Sequence, residues 1–135
     1  MVRRQIKVVG AMLEKETGRY LITQRRPEAS MALLWEFPGG RVRDGEADEA
    51  ALKRAIKERL GIDVIVDGRA STMKHDYPEY DVAFTVFHCK LADSKQPISH
   101  AKVNDHRWVT LGEMREYEFP DADARTLGLL LEADS

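Results

Sequence analysis

Gly39-Gly40-Arg41-Val42-Arg43-Asp44-Gly45-Glu46-Ala47-Asp48-Glu49-Ala50-Ala51-Leu52-Lys53-Arg54-Ala55-Ile56-Lys57-Glu58-Arg59-Leu60-Gly61-Ile62 is the stretch that decides how this chain is read. Two adjacent glycines lead into an extended triplet and an Asp44-Gly45 turn, and a charged helix pattern follows. Residues 47–60 are dense in Ala, Leu, Lys, Arg and Glu, all strong helix formers. Ala51, Ala55, Ile56 and Leu60 supply much of the apolar side, and Gly61 stands where a C-cap is expected. Glycines without a Cβ let a backbone pass close to a ligand, and amides at such a turn can face phosphate oxygens. The glycine pair taken alone also suits a plain turn before a helix.

Working outward, residues 5–14 read as a strand, with Ile6, Val8, Val9, Met12 and Leu13 interrupted by Gly10. A turn over 15–19, where Gly18 can take positive φ, joins it to a second strand at 20–24, giving a hairpin. Residues 25–34 are irregular, punctuated by Pro27. Trp35 to Gly40 is not expected to be regular through its Pro-Gly-Gly end, and 41–43 is short and extended. Downstream come a strand at 62–66, a longer apolar one at 81–91, and a loop at 93–99. A last strand at 106–110, a short helix at 111–117 and a terminal helix at 121–131 complete the pattern. Between the middle strands, Lys74, His75, Asp76, Glu79 and Asp81 read as a solvated hairpin or, alternatively, as a cleft lining. This order predicts an α/β (α+β) fold, a mixed β-sheet sandwiched between helices, rather than repeating parallel βαβ units.

With 135 residues and no repeat or linker, residues 1–135 read as one domain. Hydrophobic content of 43% suffices for one core. Basic and acidic side chains number 21 and 23, for a formal charge of -2. That balance gives no global pull toward a nucleic acid polymer or a membrane, so an anion site must be local. The single cysteine, Cys89, excludes an intrachain disulfide and a thiolate cluster, and within its apolar run it reads as a buried, inert thiol. The N-terminus runs straight into a strand pattern without an apolar signal segment, and no stretch is long enough to span a bilayer. A cytoplasmic location is the expectation. His75, His88, His100 and His106 share no helical or hairpin spacing, so no histidine metal cluster is expected.

The spacing within the opening stretch is specific. Five residues separate Gly40 from Glu46, and seven separate Glu46 from Arg54; Ile56, Glu58, Gly61 and Ile62 complete the series. This resembles the Nudix box. The segments Ile22-Thr23-Gln24-Arg25-Arg26, Trp35-Glu36-Phe37-Pro38-Gly39-Gly40 and Phe119-Pro120-Asp121-Ala122-Asp123 are similar to the MutT and CTP-pyrophosphohydrolase branch of that family. The resemblance covers nearly the whole chain and implies a Nudix fold. It also implies a nucleotide ligand and, in an active member, Mg²⁺ or Mn²⁺ held by box carboxylates, which neutralise the phosphates and activate a water. Glu58, Glu46 and Arg54 are the implied catalytic residues, with Glu58 and Glu46 as the metal ligands that remain. Arg26, Phe37, Gly39, Gly40 and Asp123 are the implied substrate contacts. Asp123 corresponds to a base-contacting position, where a carboxylate accepts from an exocyclic amine or a ring N–H; helix capping by Asp121 or Asp123 competes with that role.

Departures from the box are concentrated on one face. Residues i, i+3 and i+4 of a helix are neighbours, and where the family places three carboxylates this chain has Ala55, Glu58 and Arg59. A further acidic residue, six positions before the tryptophan of the last strand, is here Lys102, with Asn104 and Asp105 close enough to shift into that role. A dication ~4 Å from a guanidinium is repelled by several kcal/mol even at an effective dielectric of about 20. The face has therefore moved toward binding anions directly, through Arg59 and Lys102, with no cofactor required. Three functions follow from the resemblance: a Nudix domain binding a nucleoside triphosphate or related nucleoside-diphosphate-linked ligand with weak or lost hydrolysis; an active, metal-dependent nucleoside triphosphate pyrophosphohydrolase; or a non-catalytic regulatory or partner-binding module. A monomer or homodimer is the expected state.

Overall fold

The computed structural model describes residues 4–29, 32–76, 78 and 80–119. Strand β1 (Arg4–Lys15) is the hub of a seven-stranded mixed sheet. It turns through Glu16 and Gly18, both at positive φ, into β2 (Arg19–Gln24). Along its other edge it pairs in parallel with β6 (Tyr80–Leu91) over eleven positions, from Arg4↔Tyr80 to Glu14↔Lys90. That parallel pairing is what makes the sheet mixed.

The β1–β2 hairpin is joined only at its turn. Two short strands occupy the space where its arms separate. β3 (Trp35–Glu36) pairs with the end of β2, and β4 (Gly39–Arg41) pairs with Val8, Val9 and Gly10 of β1. Gly39 and Gly40 are thus in regular structure, contrary to the sequence expectation, while Pro38 is not. Pro38 sits between the two strands and contributes only its carbonyl, which accepts from Ala11 N–H at 2.8 Å. Proline is tolerated because its missing N–H is not needed there.

β5 (Val64–Asp76) is longer than its apolar start suggests and pairs with β6 as an antiparallel hairpin down to Asp76↔Asp81. Register shifts on either side of Gly68, which has φ 151°, carry the strand through its polar middle. Residues 74–76 lie on β5 and Asp81 on β6, so of the two sequence readings the hairpin is the one these residues take. β7 (Asp105–Val109) closes the far edge against β2. A short 3-10 helix, Glu113–Glu116, follows where a short helix was expected. The terminal helix expected at 121–131 lies outside the described residues.

Helix α1 (Asp48–Leu60) crosses one face of the sheet. Asp48 and Glu49 lie at its N-terminal end and Lys57 and Arg59 at its C-terminal end, matching the helix dipole. Gly61, left-handed at φ 72°, ends it by donating its N–H to Lys57 O at 3.0 Å. Leu52, Ile56 and Leu60 pack with Val9, Leu13, Leu21 and Phe87. The residues between these in the strands, Met12, Ile22, Phe84 and Val86, face the other way and meet Phe37, Met114 and Phe119. Strand alternation thus sends every second apolar side chain to a different core, one on each face.

Candidate active site

Gly39 and Gly40 are required by packing. A Cβ on Gly39 would stand 1.9 Å from Val9 O, and one on Gly40 2.9 Å from the Ala55 Cβ. The pair lets β4 lie against β1 and beneath α1, and Gly40 also borders the larger cleft described below. Ala55 itself is only 2% exposed.

Past β4, the chain turns at Gly45 (φ 78°) and brings Glu46 back beside α1. Arg54 reaches from the helix to hold Glu46 through Nε–Oε2 at 2.7 Å and Nη2–Oε1 at 2.9 Å. The same guanidinium donates to Arg41 O at 2.8 Å, and Arg43 N–H donates to Glu46 Oε1 at 3.1 Å. These bonds to Arg54 and Arg43 lower the Glu46 carboxyl to about 2 and raise Arg54 further above its usual range. Glu46 therefore ties the loop to the helix, with both oxygens occupied.

Glu58, one turn on from Arg54, accepts from Arg54 Nη1 at 3.2 Å and from Arg43 Nη2 at 3.4 Å. Glu36 on β3 is held by Arg25 Nη1 at 3.2 Å, with Arg59 Nη1 at 3.8 Å. Every glutamate facing this region thus has at least one guanidinium against it. Glu36, Arg25, Arg41 and Arg43 were not singled out from sequence. The signal available was alternation: Arg41 and Arg43 are two apart in an extended run, and so project together.

Two clefts open over these groups and share Glu58 and Arg59. The larger, about 650 Å³, is lined by Gly40, Arg41, Arg43, Glu46, Arg54 and Ala55 among others. The second, about 390 Å³, brings Arg25, Arg26, Glu36 and Lys102 to the same edge. The structure therefore gathers Arg26, Gly40, Glu46, Arg54, Glu58, Arg59 and Lys102 around adjoining space. Lys102, not Asn104 or Asp105, lines the second cleft. Asp105 instead turns to Arg107 and to the His106 N–H, and Asn104 bonds to Gln24.

Other expected contacts lie elsewhere. Phe37, an implied substrate contact, is 4% exposed and packs on Phe119 with ring centroids 5.7 Å apart, so its ring belongs to the second core. Trp35 packs edge-on against Tyr117, with ring centroids 5.0 Å apart, at the margin of the same core. Asp121 and Asp123 lie outside the described residues. Although the histidines share no regular spacing, His100 Nε2 and His106 Nδ1 come within 2.6 Å. Spacing rules test regular elements, whereas here an irregular loop returns the chain onto the start of β7. Cys89 is buried, and desolvation raises its thiol to about 12, consistent with an inert group. Among the described residues no helix is long and apolar enough to cross a membrane.

The chain is similar to known proteins along most of its length. The NUDIX domain profile matches residues 8–129. The chain is 29% identical over 131 residues to the 8-oxo-dGTP diphosphatase of Haemophilus influenzae, covering 97% of this chain and 95% of that protein. It is 28% identical over 125 residues to the CTP pyrophosphohydrolase of Escherichia coli, covering 89% and 87%. The solution structure of the E. coli ORF135 protein superposes with a TM-score of 0.83 at 26% identity, covering 98% of this chain and 93% of the other. With the sheet, the glycine pair, the Glu46–Arg54 tie and the box helix all in place, this chain belongs to the Nudix family, in its MutT-like group.

Proposed function

We propose that this domain binds a nucleoside triphosphate, or a related nucleoside-diphosphate-linked ligand, with its phosphates held directly by basic side chains, and that its pyrophosphohydrolase activity is weak or lost. One observation carries the reading: Arg59 and Lys102 line the same cleft beside Glu58, while Ala55 lies closed against Gly40. A hard cation needs several oxygen ligands, and a guanidinium projecting into its place repels it. Here Glu58 is the one carboxylate left among Ala55, Glu58 and Arg59, and Arg59 projects into the space. That donor set does not fit a box-bound divalent ion, and it does fit phosphate oxygens, which arginine binds as a planar fork.

A second reading, a working nucleoside triphosphate pyrophosphohydrolase, draws support from the activities named for the H. influenzae and E. coli relatives. It requires Glu58 to leave Arg54 and Arg43 for Mg²⁺ or Mn²⁺. The test is a panel of nucleoside triphosphates, cytidine and oxidised-guanine forms included, with either metal. Turnover at ordinary enzyme rates, ~1 s⁻¹ or more, overturns the first reading. Thermal stabilisation by nucleotide in the absence of divalent metal supports it.

A further inference from the structure

The contact between His100 and His106 lies outside both clefts and serves no part of the chemistry above. The loop that makes it is anchored on both sides. At its start, Ser99 N–H donates to Leu60 O at 3.0 Å, and Ala101 N–H donates to Ser99 Oγ at 3.1 Å. At its end, Asn104 donates from both its backbone and its side chain to Gln24, at 2.9 and 2.6 Å. Val103 is buried in the core between these anchors. The two imidazoles are therefore brought together by the fold, with ring centroids 4.9 Å apart and planes at 65°.

We propose that His100, Asp105 and His106 form a site for a borderline divalent transition metal, with Zn²⁺ as its natural probe. One ligand atom from each residue lies within 4.8 Å of the other two. Two imidazole nitrogens and a carboxylate oxygen suit zinc and its neighbours, not magnesium. The nitrogens of two histidines on one tetrahedral zinc, with Zn–N of about 2.0–2.1 Å, stand about 3.3 Å apart. From 2.6 Å the rings need separate by well under an ångström. Nδ1 of His106 and Nε2 of His100 share one proton at most in this contact, and a metal would take its place with a tilt of the rings that turns both nitrogens toward it. Asp105 accepts from the His106 N–H at 2.8 Å and pairs with Arg107, so it would turn one oxygen to the metal while the other keeps its partner. A water completes the coordination.

Such an ion would close the loop at its base. Between the two histidines lie Ala101, whose carbonyl accepts from Arg26 at 3.2 Å, and Lys102, which lines the second cleft. The metal would thus fix the segment that presents Lys102, without taking any group from helix α1.

The experiment is competition for Zn²⁺ between the whole chain and a chromophoric chelator, in wild type and in His100→Gln, His106→Gln and Glu58→Gln variants. The expected result is one equivalent of zinc per chain, with affinity lowered at least tenfold in each histidine variant, unchanged in Glu58→Gln, and insensitive to millimolar Mg²⁺. Both histidines are on the surface side of the loop, and circular dichroism checks that the variants fold. Ring-proton spectra of the wild type give a second readout, in which the His100 and His106 resonances move on adding zinc while those of His75 and His88 do not. Zinc binding that is absent, or that survives in both histidine variants, overturns the proposal, as does zinc that shifts all four histidines alike.

Discussion

Arg54 holds Glu46 by two parallel hydrogen bonds of 2.7 and 2.9 Å, and with its remaining nitrogen reaches Glu58 at 3.2 Å. One guanidinium therefore joins the loop to the helix and occupies a carboxylate that faces the cleft. The pair gives a pH signature. Glu46 is depressed from 4.5 to about 2, chiefly by its bond to Arg54. A carboxyl depressed in the folded state contributes stability that is complete above its unfolded value and lost as pH falls toward its folded one. The wild type is expected to lose thermal stability progressively between about pH 4.5 and about pH 2, through this pair among others. Glu46→Gln should start less stable at pH 7 and show a shallower loss over that window. A melting series from pH 2 to 7 on both proteins checks it, and identical slopes would remove Glu46 from the account. Arg54→Lys should also melt lower, because an ammonium cannot make the paired bonds.

The Gly40–Ala55 contact predicts a coupled pair. A methyl on Gly40 meets the Ala55 Cβ at 2.9 Å, closer than real carbon atoms approach. Gly40→Ala alone should destabilise by roughly 1–3 kcal/mol, the usual cost of overpacking. Ala55→Gly alone loses about 1 kcal/mol of helix propensity. The double variant should be more stable than the sum of the two predicts, by ~0.5 kcal/mol or more. Denaturant melts of the four proteins measure this; strict additivity would mean the helix moves aside. Gly39→Ala has no such remedy, since its clash is with Val9 O of β1, and it should fail to fold.

These two sites show which parts of the fold were legible in the sequence. Helix α1, its Gly61 cap and the β1–β2 hairpin are local, and their residue types specify them. β3 and β4 were not visible because their regularity comes from partners far along the chain, Thr23–Gln24 and Val8–Gly10, and not from their own Pro-Gly-Gly pattern. The length of β5 was hidden by Gly68, which reads as a break but acts as a bulge. Spacing placed Ala55, Glu58 and Arg59 on one face, and they do line one cleft. Pairings such as Glu36 with Arg25, or His100 with His106, depend on which loops meet, and no periodicity reports that.

Cys89 makes a simple reactivity prediction. The thiolate is the nucleophile, and burial raises this thiol to about 12. The native protein should resist alkylation at pH 8 and react fully once unfolded in urea. Rapid labelling of the native form would show that β6 opens. Cys89→Ala should cost about 1 kcal/mol, as removal of a small buried group does.

Arg59 should separate binding from stability. Its side chain is 46% exposed and lies 3.8 Å from Glu36, an arrangement worth little to the fold. Arg59→Gln should change stability by no more than ~0.5 kcal/mol. Combined with Lys102→Gln, it should weaken nucleotide binding at low salt by roughly tenfold or more, the scale of a lost charge-assisted hydrogen bond. Raising ionic strength should weaken the wild type more than the double variant. Unchanged affinity in the double variant would place the phosphates elsewhere.

Restoring carboxylates tests whether their loss is what silences the box. Ala55→Glu places an oxygen donor at the edge of Gly40; Arg59→Glu frees the space of its guanidinium; Lys102→Glu adds a carboxylate from across the second cleft. No single change is sufficient. Ala55→Glu leaves Arg59 to repel a cation, Arg59→Glu leaves too few oxygen ligands, and Lys102→Glu acts only on a metal already bound. Ligands that work as a unit are expected to be strongly non-additive. The triple variant should hydrolyse a nucleoside triphosphate in a Mg²⁺- or Mn²⁺-dependent manner, while each single variant stays near the wild-type level. Product release followed by phosphate or pyrophosphate detection, with chelator as the control, gives the answer. A triple variant that folds and binds nucleotide but stays inert would show that more than the carboxylates has changed. A wild type already as fast as the triple variant would mean that Glu58, despite Arg54 and Arg43, is free enough to serve a metal.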